Sequence, residues 1–83
     1  MHSVRKRDGS IQPFSWDKID NAVAKAFASQ NKEVPALVKT IVRETVEIKQ
    51  GYKDILDIED IQDDVVKSII AAGEWDVALA YHS

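Results

Sequence analysis

Val4-Arg5-Lys6-Arg7-Asp8-Gly9-Ser10-Ile11-Gln12-Pro13-Phe14, followed at once by Ser15-Trp16-Asp17-Lys18-Ile19, is the stretch that decides the fold. Asp-Gly between two short runs is among the strongest local hairpin signals. Pro13 has no amide donor, which confines the second strand to a sheet edge or a strand end. The register turns on loop length. A two-residue loop, Asp8-Gly9, sets Val4 and Lys6 on the face of Ile11 and Pro13. A three-residue loop, Arg7-Asp8-Gly9, with Gly9 in the left-handed region, sets them with Gln12 and Phe14. The second register is preferred. It builds one face from two apolar side chains, one ammonium and one amide.

Helices follow. Ser15 is a good N-cap and Asp17 suits a first turn, so a first helix is predicted over Trp16 to Ser29. Ile19, Ala22, Val23, Ala26 and Phe27 fall at helical spacing and form its inward stripe. Residues 30–34 read as a loop. Pro35 suits the first turn of a second helix, Pro35 to Gln50, with Leu37, Val38, Ile41, Val42, Thr45 and Ile48 inward and Gly51 ending it. Residues 52–56 fit either a short third strand or an extended loop. Asp57 caps a third helix, with Asp60 as a loose capping box; Ile58, Ile61, Val65, Ile69 and Ala72 face inward, and Gly73 stops it. Trp75 to Ser83 begins a last helix with Trp75, Ala78, Leu79 and Tyr81 apolar. It breaks off mid-pattern, as in a segment of something longer. The expected fold is α+β and mostly helical, about four helices capped by a small N-terminal β-hairpin or three-stranded sheet.

Composition narrows the function. With 83 residues the chain is one domain with a modest core. It has no cysteine, which excludes disulfides, thiolate metal sites and thiol chemistry within it. No apolar run approaches a membrane span and no hydrophobic run follows the basic start, so a cytoplasmic location is expected. The net charge of -3 is unevenly spread: residues 1–9 and 10–53 each carry +2, whereas residues 54–83 set Lys67 against eight acids. A local basic cluster on an otherwise acidic domain suits a small anionic ligand better than duplex DNA.

Much chemistry is missing. Gly9, Gly51 and Gly73 make neither a Walker loop nor a dinucleotide fingerprint. His2 and His82 lie at opposite ends without ligand-spaced partners. The acids at 57, 59, 60, 63 and 64 have neither the glycine nor the alternation of a calcium loop, and read as a solvated helix start. What remains is Arg5, Lys6 and Arg7 beside Lys18, one turn into a helix whose free N–H groups favour an anion. A phosphate near Lys6 and Lys18 would be held by charge-assisted bonds. Val4, Phe14, Ile19 and Ala22 supply a dry wall for a base, and Gln12 an amide to read its edge. The bland readings stand beside these: solvated cations next to a turn, Phe14 and Ile19 as core, Gln12 as an exposed strand residue. A basic patch for nucleic acid is a further alternative.

The same residues resemble a family. Val4-Arg5-Lys6-Arg7-Asp8-Gly9, Pro13-Phe14, Asp17-Lys18-Ile19 and Ala22 are similar to the opening signature of the ATP-cone domain. Ile58-Glu59-Asp60-Ile61-Gln62-Asp63-Asp64-Val65 resembles its second landmark, and Val77-Ala78-Leu79-Ala80-Tyr81 its alanine-rich final helix. The likeness spans essentially the whole chain in order. It implies a four-helix bundle with a small β-cap, and a non-catalytic regulatory domain. The effector it implies is ATP or dATP, with Mg2+. The role it implies is control of a ribonucleotide reductase, in partnership with the rest of that enzyme and its subunits. The module also occurs in a zinc-bearing transcriptional repressor with a cysteine-rich segment ahead of the cone. Met1 stands three residues before the motif here and cysteine is absent, so the reductase reading is preferred and the repressor-like interaction module is the alternative. The resemblance implies that Lys6 and Lys18 bind phosphate, that Val4, Arg5, Arg7 and Ile19 line the nucleotide, that Gln12 lies near the base, and that Gln62 faces the pocket. Ile58 stands where some members use a threonine hydroxyl for phosphate. Many members also show a tyrosine-arginine ending past the point where this sequence stops, which places a pocket-closing basic residue beyond Ser83.

Overall fold

The structure, a computed structural model, describes residues 1–82. The hairpin comes first. Strand β1 (Ser3–Arg5) pairs antiparallel with β2 (Ile11–Pro13), Val4 opposite Gln12 and Arg5 opposite Ile11. This is the three-residue-loop register. The Lys6 amide donates to the Ser10 carbonyl at 2.8 Å and the Gly9 amide returns to the Lys6 carbonyl at 2.9 Å. Gly9 takes φ +86, a conformation that costs a side-chain-bearing residue strain. The Asp8 carboxylate accepts the Ser10 amide at 2.9 Å, and hydrogen bonding to Ser10 holds its pKa below the usual carboxylate value.

The ambiguous segment resolves into a strand. β3 (Ile55–Asp57) joins β1 in parallel, giving the order β2-β1-β3, while Tyr52 and Lys53 stay outside it. β1 is therefore central and Pro13 sits on an edge strand, where a missing donor costs nothing. Alternation along the strands turns Val4 and Leu56 inward, both buried.

Helix α1 (Trp16–Ser29) buries Ile19, Val23, Ala26 and Phe27. Ala22, expected in that stripe, is exposed, because it lies on the flank that faces the cleft described below. Ser15 occupies the N-cap with extended backbone, but its hydroxyl accepts no cap bond. Helix α2 (Ala36–Gln50) starts one residue later than expected, with Pro35 as its cap, and buries Val38, Val42, Val46 and Gln50. Leu37 and Ile48, expected inward, are 67% and 80% exposed. The helix carries two apolar rows, and it presents the i, i+4 row of valines to its neighbours.

Helix α3 (Ile58–Ala71) is capped by Asp57, whose carboxylate accepts the Glu59 amide at 2.9 Å. It buries Ile61, Val65 and Ile69, and also Asp64 and Ser68. Asp64 is satisfied by the Gln50 amide at 3.0 Å, and the Gln50 carbonyl oxygen accepts from Lys53 at 3.0 Å, so the α2–α3 seam holds a short polar chain. Gly73, at φ +82, ends α3: its amide bonds Ile70 and the next amide, Glu74, bonds Ile69. Helix α4 (Trp75–His82) buries Val77 and Ala78, whereas Trp75 and Leu79 are 64% and 71% exposed. Ser83, the last residue expected in this helix, lies outside the described residues. The four helices share one core around Phe27, Leu56, Ile61, Val65 and Ile69, and the sheet lies over one end of it. No helix among the described residues is long and apolar enough to cross a membrane.

Candidate functional site

Where the sheet meets the bundle, a cleft of about 200 Å³ opens between the hairpin and helices α1, α3 and α4. The hairpin register builds its first wall. Val4 and Lys6 alternate onto the same side of the β1 chain, and Gln12, opposite Val4, joins them. Pro13, Phe14 and Ser15 carry the wall into α1. Phe14 is fixed by an edge-on contact with the Trp16 ring, centroids 5.0 Å apart, and Arg43 sits over the far ring at 4.6 Å.

Helix α1 builds the second wall with Lys18, Ile19 and Ala22. The spacing of Lys18 and Ala22, one turn apart, brings both to one flank. The Lys18 ammonium donates to the Gln12 side-chain carbonyl at 3.5 Å, so the second lysine leans toward the hairpin. Ser15 leaves the first turn of α1 without a side-chain cap, and both Ser15 and Lys18 line the same space. Helix α3 supplies Ile58, Ile61 and Gln62, and α4 supplies Tyr81. Burial raises the Tyr81 phenol above its ordinary pKa. The cleft thus offers ammonium groups and free amides at a mostly apolar recess. That combination takes a flat apolar group with an anionic tail.

A polar basin of about 440 Å³ adjoins the cleft, lined by Arg7, Glu59, Asp63 and His82 among others. Gln62 and Tyr81 border both spaces.

Comparison with known families agrees in extent. The model described as ATP cone domain matches residues 2–83. The chain belongs to the ATP-cone family. ATP-cone domains bind ATP and dATP as effectors, and the cone is a regulatory rather than a catalytic module.

In this cone, eight of the residues singled out from sequence line the one cleft: Val4, Lys6, Gln12, Phe14, Lys18, Ile19, Ala22 and Gln62. Arg5 and Arg7 are not among its lining. Arg5 is an odd step along β1 from Val4 and Lys6, so it projects from the opposite face and is exposed. Arg7 sits in the turn and reaches α3 instead, donating to the Gln62 side-chain oxygen at 2.9 Å and pairing with Glu59 at 3.6 Å. Of the three consecutive cations, Lys6 alone lines the cleft, Arg5 leaves the opposite sheet face and Arg7 lines the adjoining basin. Ile58 does line the cleft and presents hydrocarbon to it. From sequence, Ile61 and Tyr81 read as helix packing and as parts of the later family landmarks. Their pocket role follows from how α3 and α4 dock, which no local spacing encodes.

Proposed function

We propose that this cone binds ATP and dATP through the hairpin cleft and thereby sets the overall activity of a ribonucleotide reductase, acting as a regulatory domain over residues 1–83 of a longer cytoplasmic chain. The observation that carries the reading is that Lys6, the residue after β1, and Lys18 of α1 line one recess whose other walls are largely apolar. The adenine lies against Val4, Phe14 and Ile19, with Gln12 offering donor and acceptor groups to its edge. The phosphates lie toward the two ammonium groups and the uncapped first turn of α1. About 200 Å³ is less than most ligand sites enclose, so the polyphosphate runs out along the rim, past Lys6 toward the adjoining basin that Arg7 lines. Mg2+ accompanies the nucleotide and is held chiefly by phosphate oxygens, its usual manner of binding.

One ribose hydroxyl distinguishes ATP from dATP, and one hydrogen bond is worth about 0.5–1.5 kcal/mol. A switch between permissive and suppressed enzyme therefore draws on coupling to the parent's assembly in addition to the contact itself.

The rival reading, an interaction module working through Arg5, Lys6 and Arg7, needs those cations on one surface. Their divergence weighs against it. The test is calorimetric titration of the chain with ATP, dATP, GTP and a random DNA duplex, repeated on Lys6→Ala. Adenine-selective binding that Lys6→Ala abolishes is the expected result. Tight duplex binding without a nucleotide effect would reverse the assignment.

A further inference from the structure

Resting on the nucleotide reading above, we infer that Glu59 is an affinity brake: it holds Arg7 on α3, away from the phosphates, and nucleotide must draw Arg7 off it. Three observations converge. Arg7 sits exposed in the hairpin loop, and its guanidinium is doubly engaged, at 2.9 Å by Gln62 and at 3.6 Å by Glu59. Gln62 borders both the cleft and the polar basin, so Arg7 is already within hydrogen-bond reach of a cleft-lining group. Arg7 and Glu59 are also 70% and 69% exposed, which makes their pairing weak and exchangeable.

The direction of exchange follows from donor chemistry. A guanidinium meets phosphate through two parallel charged hydrogen bonds, stronger than one neutral amide bond plus a solvent-screened ion pair. Phosphate therefore outcompetes Gln62 and Glu59 for Arg7. Breaking the Glu59 pair still subtracts from the gain, and this subtraction is the brake.

The experiment measures ATP affinity by titration calorimetry on the 83-residue chain and on Glu59→Gln, Asp63→Asn, Arg7→Ala and Arg7→Ala/Glu59→Gln. Asp63 controls for bulk charge: it lines the same basin but makes no ion pair among the described residues. Glu59→Gln should tighten ATP about two- to fivefold, the ceiling for an exposed pair. Asp63→Asn should change affinity by less than half of that. In the Arg7→Ala background Glu59→Gln should do nothing, since the coupling is gone. Equal tightening by Asp63→Asn, or a Glu59 effect that survives Arg7→Ala, overturns the brake in favour of general electrostatics. So does an unchanged or weakened affinity in Glu59→Gln. If ATP binds and needs Lys6 but ignores Glu59, the brake alone falls. If the unaltered chain binds no ATP, the nucleotide reading falls and takes the brake with it.

Discussion

Lys18→Met isolates the electrostatic half of the site. The substitution keeps the length of the stem and removes the ammonium. Lys18 is exposed on α1 and its side-chain hydrogen bond to Gln12 is a long 3.5 Å, so the unliganded fold loses little. A stability change within about 0.5 kcal/mol moves Tm by no more than about 2–4 °C in a domain of this size. Binding is another matter. Two unit charges about 4 Å apart interact by about 1 kcal/mol in bulk water and about 4 kcal/mol at an effective dielectric of 20. The rim position puts Lys18 in the lower part of that range, about 1–2.5 kcal/mol, or roughly 5- to 60-fold in Kd. The assay is calorimetric titration with ATP and with AMP at two salt concentrations. ATP affinity should fall by that factor, AMP affinity should fall less, and the ATP deficit should shrink as salt rises. Equal losses for ATP and AMP would refute the reasoning, since Lys18 would then be supporting the base or the wall.

Other consequences concern the scaffold. Gln50→Ala strands the buried Asp64 carboxylate and should cost about 1.5–3 kcal/mol, at least about 6 °C in Tm, whereas Gln50→Leu with Asp64→Leu should recover most of it; thermal melts decide. Gly9→Ala meets no steric neighbour but forces a left-handed residue, so it should lower Tm by roughly 5–15 °C, while Gly9→Asn is better tolerated. Asp76 has its pKa lowered, first by its hydrogen bond with Lys32 and then by the Val77 amide. Its stabilisation is thus present above the unperturbed value of 3.8 and is lost as pH falls through the depressed pKa; the Tm gap between Asp76→Asn and the unaltered chain should close on acidification.

Local chemistry made part of this molecule legible. Asp8-Gly9 announces the hairpin, and Gly9 in the left-handed region settles the three-residue loop and thus the face shared by Val4, Lys6 and Gln12. Trp16–Ser29 is readable because its spacing has one solution. Helix α2 is less so, because Leu37, Ile41 and Ile48 form a row as apolar as Val38, Val42 and Val46. Only docking against α3, with Gln50 meeting Asp64, chooses between them. β3 is three residues long, too short for any alternation to mark it. The site shows the same division. Lys6 and Lys18 belong to one continuous stretch and could be paired from spacing. Tyr81 arrives from the far end of the chain, and Arg7 is diverted by partners more than fifty positions away.

Intermolecular nuclear Overhauser contacts between bound ATP and the chain test the central claim most directly. The account predicts contacts from adenine H2 and H8 to the side chains of Val4, Phe14, Ile19 and Ile61, with the Lys6 and Lys18 side-chain resonances shifted by the phosphates. Contacts to the outer face of α2 around Leu37 and Ile48, with the Val4 and Ile19 methyl groups unperturbed, would contradict it.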